Sequence, residues 1–382
     1  MTDNNLKFAS DGKFRILCLG DLHEKLKITS HNSQQRLDDM HKLFEMSVKA
    51  FKPELIVLMG DTLCSWDDEG GIPLYIEALE RILKPFIERN LPIAYVLGNH
   101  EHDAKQEKSI IEAYTHISNC LAFNDEPSVS GYLNYYLHIN ASNSESPVFN
   151  LWFIDSNNVS ADRTVSHYDW VHLDQIEWYE KKSAQFREEN NGNPLPSILF
   201  QHIPVTEEYD LLREATLPER PIAVKGHFKW GDRYFVAKNG VKGYLGEGPC
   251  APFCNDGQFE SWKRMGDVKG AFFGHDHLND FTGTVDGIKL GQNKTSGFRA
   301  YTDGCRSCVR LITLDENDID NWTTRVYHFK ELGLECTCLG PIQKRISDRQ
   351  SINMHMASYI AAGTAGAAGT AAGIAKLIKK LK

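Results

Sequence analysis

Short apolar runs alternate with longer amphipathic stretches over the first hundred residues. Phe14-Arg15-Ile16-Leu17-Cys18-Leu19 reads as a buried strand stopping at Gly20. Leu55-Ile56-Val57-Leu58-Met59 reads as a second, stopping at Gly60, and Ile93-Ala94-Tyr95-Val96-Leu97 as a third, stopping at Gly98. Within 34–51, Leu37, Met40, Phe44, Val48 and Phe51 recur at helical spacing, and Ile76, Leu79, Ile82, Leu83 and Phe86 mark a second helix. This alternation at this spacing predicts right-handed crossovers and a parallel sheet of the α/β class.

The middle of the chain changes character. Residues 132–139 and 148–155 alternate like antiparallel strands around a polar turn at 140–147, 172–188 predicts a helix, and Ser197-Ile198-Leu199-Phe200 a further strand. The stretch 203–267 is rich in Gly, Pro and aromatics with little periodicity, the pattern of irregular substrate loops or a lid. Sheet structure resumes with Gly270-Ala271-Phe272-Phe273, 309–314 and 324–329. Residues 1–338 therefore read as one domain and 339–382 as a linker and tail, its last part (358–382) an Ala/Gly/Thr-rich run with a basic end at Lys376, Lys379, Lys380 and Lys382. Gly363, Gly366, Gly369 and Gly373 would line one side of a helix, a close-packing pattern, yet Ala, Gly and Thr are weakly hydrophobic against a true membrane span. Two readings of 358–382 stand: weak docking on an anionic membrane surface or a partner, and a solvated extension.

The chemistry gathers at the strand tips. Gly20-Asp21-Leu22-His23, Gly60-Asp61 and Gly98-Asn99-His100-Glu101 each follow an apolar run, as do Gln201-His202 and Gly274-His275-Asp276-His277. Ligands of open α/β sheets bind beyond the carboxyl ends of strands, so these tips are expected to converge. Asp, His and Asn with a bridging carboxylate are the donor types for a pair of Mn, Fe or Zn ions. Asp21 and His23, two apart on an extended tip, project the same way and suit a shared ion, while His275 and His277 suit the same or neighbouring ions.

These segments resemble the five blocks of the calcineurin-like metallophosphoesterase superfamily, in the family order, over about residues 12–330. Phe8-Ala9-Ser10-Asp11-Gly12-Lys13-Phe14 and Gly274-His275-Asp276-His277-Leu278-Asn279-Asp280-Phe281 are similar to the purple-acid-phosphatase-like branch of plants and fungi, whose fungal members resemble protein phosphatases of cell-cycle and stress signalling. The resemblance implies a four-layer α/β/β/α sandwich with two central mixed sheets. It further implies that Asp21, His23 and His277 hold one ion, that Asn99, His202 and His275 hold the other, and that Asp61 bridges them. His100 would serve the leaving alkoxide or the transition state, and Glu101 would orient its neighbours. The implied reaction is hydrolysis of a phosphoric ester by a hydroxide bridging two ions, with no protein nucleophile. One departure stands out: true purple phosphatases carry a metal-binding tyrosine three residues after the bridging aspartate, where this chain has Cys64, and lack the histidine found here as His23. Without the phenolate, no purple charge-transfer colour is expected, and Mn, Fe(II) or Zn suits the site better than a fixed Fe(III).

The expected substrates are phosphoproteins or small phosphomonoesters. The alternative is a phosphodiesterase acting on cyclic nucleotides or nucleic acid, and a remoter one is a binding scaffold, which seven filled ligand positions argue against. The charge of −9, from 51 acidic and 42 basic residues, gives no strong nucleic-acid signal. Nine cysteines, an odd number, and a start without a secretory pattern favour a reducing, cytoplasmic setting. The pairs Cys305/Cys308, Cys336/Cys338 and Cys250/Cys254 lack completing ligands in sequence, so all six read as free thiols. Among lesser features, His102 and Asp103 read as a solvated helix start and Asp276 as a turn cap. Lys294, Arg299 and Arg306 are candidates to clamp a phosphate. Trp230, Tyr234, Tyr244, Phe253 and Trp262 suit either a substrate wall or lid packing.

Overall fold

The computed structural model describes residues 6–345 and 349–380. Residues 1–5, residues 346–348 of the expected linker, and Leu381 and Lys382 of the basic end lie outside the described residues. A five-stranded sheet contains β2 (Lys13–Leu19), β3 (Leu55–Leu58), β4 (Ile93–Tyr95), β14 (Cys308–Asp315) and β15 (Thr323–His328), ordered β15-β14-β2-β3-β4. β2, β3 and β4 pair in parallel, as the alternating pattern predicts, and β14 runs antiparallel to both β2 and β15.

A seven-stranded sheet holds β1 (Leu6–Lys7), β5 (Tyr135–Asn140), β6 (Pro147–Phe153), β7 (Ser197–Gln201), β11 (Val268–Phe273), β12 (Thr282–Val285) and β13 (Ile288–Gln292), ordered β1-β5-β6-β7-β11-β13-β12. β5 and β6 pair antiparallel, while β6, β7, β11 and β13 run parallel. The expected irregular stretch 203–267 is more ordered than its composition suggests. It contains a three-stranded antiparallel sheet of β8 (Leu212–Glu214), β9 (Val224–Lys225) and β10 (Tyr234–Ala237), ordered β8-β10-β9. Strands of two to four residues leave too few alternations to be read as a period.

The layering follows from alternation along the strands. Phe149, Leu151 and Phe153 of β6, with Ile198 and Phe200 of β7, join the core shared with the five-stranded sheet. Helices α1 (His31–Phe51) and α2 (Gly71–Ile87) contribute Leu37, Met40, Phe44, Leu79, Ile82 and Phe86 to that core. The alternate residues Trp152 and Leu199 point the other way, onto α5 (Leu173–Glu189) and α6 (Gln258–Met265), where Ile176, Trp178, Phe186 and Trp262 cover them. Both faces of the larger sheet are therefore buried, which makes a four-layer α/β/β/α sandwich. Two short helices, α3 (Asn99–Asp103) and α4 (Glu107–Thr115), follow β4.

At the C-terminus, α7 (Pro341–Arg345) is helical where a linker is expected, and α8 (Arg349–Lys380) is one helix. Residues 360–376 of α8 are exposed, and the positions facing Gly363, Gly366, Gly369 and Gly373 are open space. No helix among the described residues is long and apolar enough to cross a membrane.

One buried cation fastens the two sheets. Arg310, in β14, donates Nε to Asn293 Oδ1 (3.1 Å), Nη1 to Thr324 Oγ1 (3.0 Å), and Nη2 to the carbonyls of Asp280 (2.9 Å) and Gln292 (2.7 Å). Its removal strands buried acceptors on both sheets. Arg310→Met should therefore cost about 3–5 kcal/mol of folding stability, read by urea unfolding. A cost under about 1 kcal/mol would mean that the guanidinium is replaceable packing.

Candidate metal centre

The tips of β2, β3 and β4 in one sheet and of β7 and β11 in the other meet at a common edge. Asp21, His23, Asp61 and His277 bring ligand atoms within 4.8 Å of one another, and Asp61, His202 and His275 do the same. The two groups share Asp61. Asn99 adjoins the second group, its Oδ1 3.0 Å from His202 Nε2. All seven residues expected as ligands thus lie together.

The local backbone differs from an extended tip. Asp21 (φ 32°), His23 (φ 47°), Asp61 (φ 49°) and His275 (φ 71°) all sit in the left-handed region. Each costs about 1–3 kcal/mol and persists only where surrounding contacts fix it. Asp21 and His23 reach one group because the chain turns sharply after β2, not because alternate side chains of a strand share a face. The tips also press on one another: a Cβ at Gly60 would come 2.6 Å from His202 Nδ1, and one at Gly98 would come 2.2 Å from Asp61 Oδ1. Only glycine fits such an approach.

Glu101, in α3, locks this packing. Its Oε2 accepts from the backbone N–H groups of Asp61 (2.8 Å) and Gly98 (2.9 Å), and Oε1 accepts from that of Thr62 (2.8 Å). Asp61 Oδ1 in turn accepts from the His100 backbone N–H at 2.8 Å. His202 Nδ1 donates to the Met59 carbonyl (2.7 Å) and His277 Nδ1 to the Ala300 carbonyl (3.1 Å). A carbonyl can only accept, so each ring turns its Nε2 toward the site; burial opposes the His202 charge, but Asp61 and Asp21 hold that imidazole protonated up to about 10, so a bound cation would displace its Nε2 proton.

Those nitrogens face other acceptors. His202 Nε2 lies 3.3 Å from Asp61 Oδ2 besides Asn99 Oδ1, and His277 Nε2 lies 3.0 Å from His23 Nε2. His275 Nε2 is buried without a hydrogen-bond partner. Convergent acceptors plus an orphaned ring nitrogen fit divalent cations. Burial pushes His23 down to about 4 and His277 to about 3, keeping both imidazoles in the neutral, ligating form. Burial opposes the Asp61 charge, but the facing His202, His23 and His100 hold its carboxyl well below the usual range.

His100 stands at the rim, partly exposed, with Nε2 4.0 Å from Asp61 Oδ2. Asp103 Oδ2 is 3.0 Å from His100 Nδ1 and aims the ring, a role that reading it as a solvated helix start did not foresee. Above the centre, a cavity of about 300 Å³ is walled by Tyr168, His227, Phe228, Glu247, Cys250 and Tyr301. Tyr168 packs edge-on against His275, and Tyr301 against His277. None of the five aromatics expected from the long loop lines it; Trp262 is fully buried in α6 and Trp230 stacks on Tyr209.

The candidate phosphate clamp is not formed. Lys294 is buried between Asp303 (2.6 Å) and Asp280 (3.2 Å), Arg299 is held by Glu24 (3.2 Å), and Arg306 lies 3.4 Å from Asp303. Each finds a carboxylate distant in sequence or tucked in the same turn, which spacing alone does not reveal. Asp276 ties segments together, accepting from the Cys250 backbone N–H (3.1 Å) and from Asn279 Nδ2 (3.0 Å), and Cys64 falls outside both ligand groups.

The sequence profile of the calcineurin-like phosphoesterases matches residues 14–279. The chain belongs to the calcineurin-like phosphoesterase family. It is a metal-dependent hydrolase of phosphoric esters, a phosphatase. Among its relatives, "Probable inactive purple acid phosphatase 29" of Arabidopsis thaliana is 28% identical over 82% of this chain and 79% of that protein. "Phosphatase DCR2" of Saccharomyces cerevisiae is 27% identical over 83% of this chain and 54% of its own length. A solved dimetal phosphatase from Danio rerio overlaps 83% of this chain and 99% of its own, at 12% identity and a TM-score of 0.44.

His102 also departs from the solvated reading. It is buried, with Nε2 2.8 Å from Asp155 Oδ1 and Nδ1 3.3 Å from Glu107 Oε1. Burial opposes its charge, but Asp155 and Glu107 outweigh that and hold the imidazole protonated up to about 10. A raised pKa contributes stability fully below the unfolded value of about 6.5 and loses it as pH rises through the folded value. His102→Gln should therefore destabilise most near pH 5.5, and its gap to the wild type should shrink steadily toward about pH 9.5 in denaturant titrations. A pH-independent gap would show that the pair is uncharged.

Proposed function

We propose that this protein is a dinuclear phosphomonoesterase acting on phosphorylated protein or small phosphomonoesters, with Mn, Fe(II) or Zn in its two sites. The observation that carries this reading is the pair of ligand groups sharing Asp61 beneath an open cavity. Asp21, His23 and His277 would hold one ion, Asn99, His202 and His275 the other, with Asp61 common to both. When bound, such a pair supplies Lewis-acid charge to phosphoryl oxygens and lowers the pKa of water toward neutrality.

The residues of the chain do the rest. Met59 and Ala300 carbonyls fix the ring tautomers, and Glu101 fixes the loops that carry Asp61 and Asn99. His100, aimed by Asp103, places Nε2 where a leaving alkoxide needs a proton. No lysine or arginine lines the cavity among the described residues, so no side-chain cation competes for the phosphoryl group. Burial pushes the His227 imidazole down, so the cavity wall offers it as a neutral polar contact. The word inactive in some relatives' names belongs to those proteins; here every position of the ligand set is filled by a competent donor.

Asp61→Asn tests the shared carboxylate. Metal content should fall and hydrolysis of a phosphomonoester should drop by several orders of magnitude, measured by elemental analysis and steady-state assay. Full activity with two ions still bound would overturn the assignment, and a faster rate on a diester than on a monoester would replace the monoesterase reading by the diesterase one. For His100→Ala, both ions should remain while turnover falls about 10²–10⁴-fold. That loss should shrink for aryl phosphates, whose leaving groups need less protonation; an equal loss on alkyl and aryl esters would leave His100 a purely electrostatic role.

A further inference from the structure

Three thiols from two segments of the chain meet behind α1. Cys336 and Cys338 are buried in the segment after β15, with sulfurs 3.5 Å apart. Cys305, in the turn 304–306, shares a thiol hydrogen bond with Cys336. From the opposite side α1 presents the buried Asp39, whose Oδ2 accepts from Cys336 Sγ (3.3 Å) and from the backbone N–H groups of Thr337 (2.6 Å) and Cys338 (2.9 Å). Its Oδ1 accepts from Lys42 Nζ (2.9 Å) and Thr337 Oγ1 (3.0 Å). The Asp39 oxygen and the sulfurs of Cys336 and Cys338 lie within 4.8 Å of one another. Cys308, the nearest partner of Cys305 by spacing, is buried in β14 and takes no part.

We propose that Cys305, Cys336, Cys338 and Asp39 form a structural site for one thiophilic divalent cation of the zinc class, separate from the phosphoesterase centre. Sulfurs bound to a tetrahedral zinc at about 2.3 Å sit roughly 3.7 Å apart, so the Cys336–Cys338 pair needs almost no movement. The cation takes the place of the proton that Cys336 now donates to Asp39. Three metal–sulfur bonds and one metal–oxygen bond form, three thiol protons leave to solvent, and no oxidant is consumed. Three thiolates and a carboxylate exceed the charge of the ion, and Lys42 beside Asp39 with Lys330 and Lys344 near Cys305 offsets the excess. The backbone N–H bonds from Thr337 and Cys338 hold the carboxylate in place. Although its bond with Cys305 acts the other way, the Cys338 thiol and burial push Cys336 up to about 12, so the metal-free cluster is a set of protonated thiols rather than a reactive thiolate. Filled, the site pins the chain between β15 and α7 to α1 and to the turn 304–306.

The test uses the full reduced chain, stripped of metal and titrated with Co²⁺. Thiolate-to-cobalt charge transfer gives an intense near-ultraviolet band, which the Asp/His/Asn centre does not produce. The band should saturate at the intensity of one thiolate-bound Co²⁺ per chain, vanish in Cys336→Ser and Cys338→Ser, persist in Asp61→Asn, and yield to Zn²⁺. X-ray absorption of the zinc-loaded wild type, which needs no variant to fold, should show a sulfur shell at about 2.3 Å. The absence of both signals, or a band surviving both serine variants, overturns the proposal. So does a Cys336–Cys338 disulfide in the freshly isolated protein, two hydrogens lighter by mass, that persists in place of metal uptake.

Discussion

Asp61 is a carboxylate with almost no access to water, and its negative charge must be answered by what surrounds it. An uncompensated buried charge costs several kcal/mol, so the fold around it is shaped by the need to supply compensation. Three imidazoles from three chain segments point at its oxygens. That convergence demands that strand tips from two separate sheets approach more closely than side chains allow, which is why Gly60 and Gly98 stand where they do. It also demands left-handed backbone at Asp21, His23 and Asp61 themselves, held by the sheet cores behind them. Glu101 closes the arrangement by binding the backbone on either side of Asp61 and at Gly98, so a second buried carboxylate is satisfied by the same loops it orders.

What was legible in the sequence was whatever is local. An apolar run ending at a glycine with a polar residue behind it is a strand tip wherever it folds, and four such tips meet with the one at Gln201-His202. The parallel order of β2, β3 and β4 was readable for the same reason. The turn that lets Asp21 and His23 share a group was not, because a positive φ on a non-glycine residue leaves no mark in composition. Partner choice over long distances was hidden too. Lys294 and Arg299 look available for a phosphate until Asp280 and Glu24 are seen beside them. His102 looks solvated until the end of β6 delivers Asp155 to its ring. Which aromatics line the cavity was not legible, because Tyr168 and Phe228 reach the site from segments with no periodic signal, whereas the loop tryptophans take the packing alternative. The cysteines share this limit: Cys305 and Cys336 are neighbours only once α7 packs on the turn 304–306.

The basic residues beyond the last ligand histidine show how the fold and the chemistry divide the available charge. Lys294, Arg310 and His328 all bind Asp280 or its carbonyl, three residues after His277. They anchor the outgoing end of the loop that carries both His275 and His277, and Arg310 extends that anchor across to β13 and β15. Cations employed in this way cannot also reach a substrate without giving up these buried partners. Under the proposed reading, positive charge at a bound phosphoryl group would come from the ions the Asp/His/Asn set can hold, helped at the rim by His100. The same interactions that anchor the ligand loop would thus concentrate the electrostatics of the proposed reaction on the shared carboxylate and the ions it would hold. Loss of that carboxylate would therefore remove the means of holding positive charge beneath the cavity, with no lysine or arginine in its wall among the described residues to replace it.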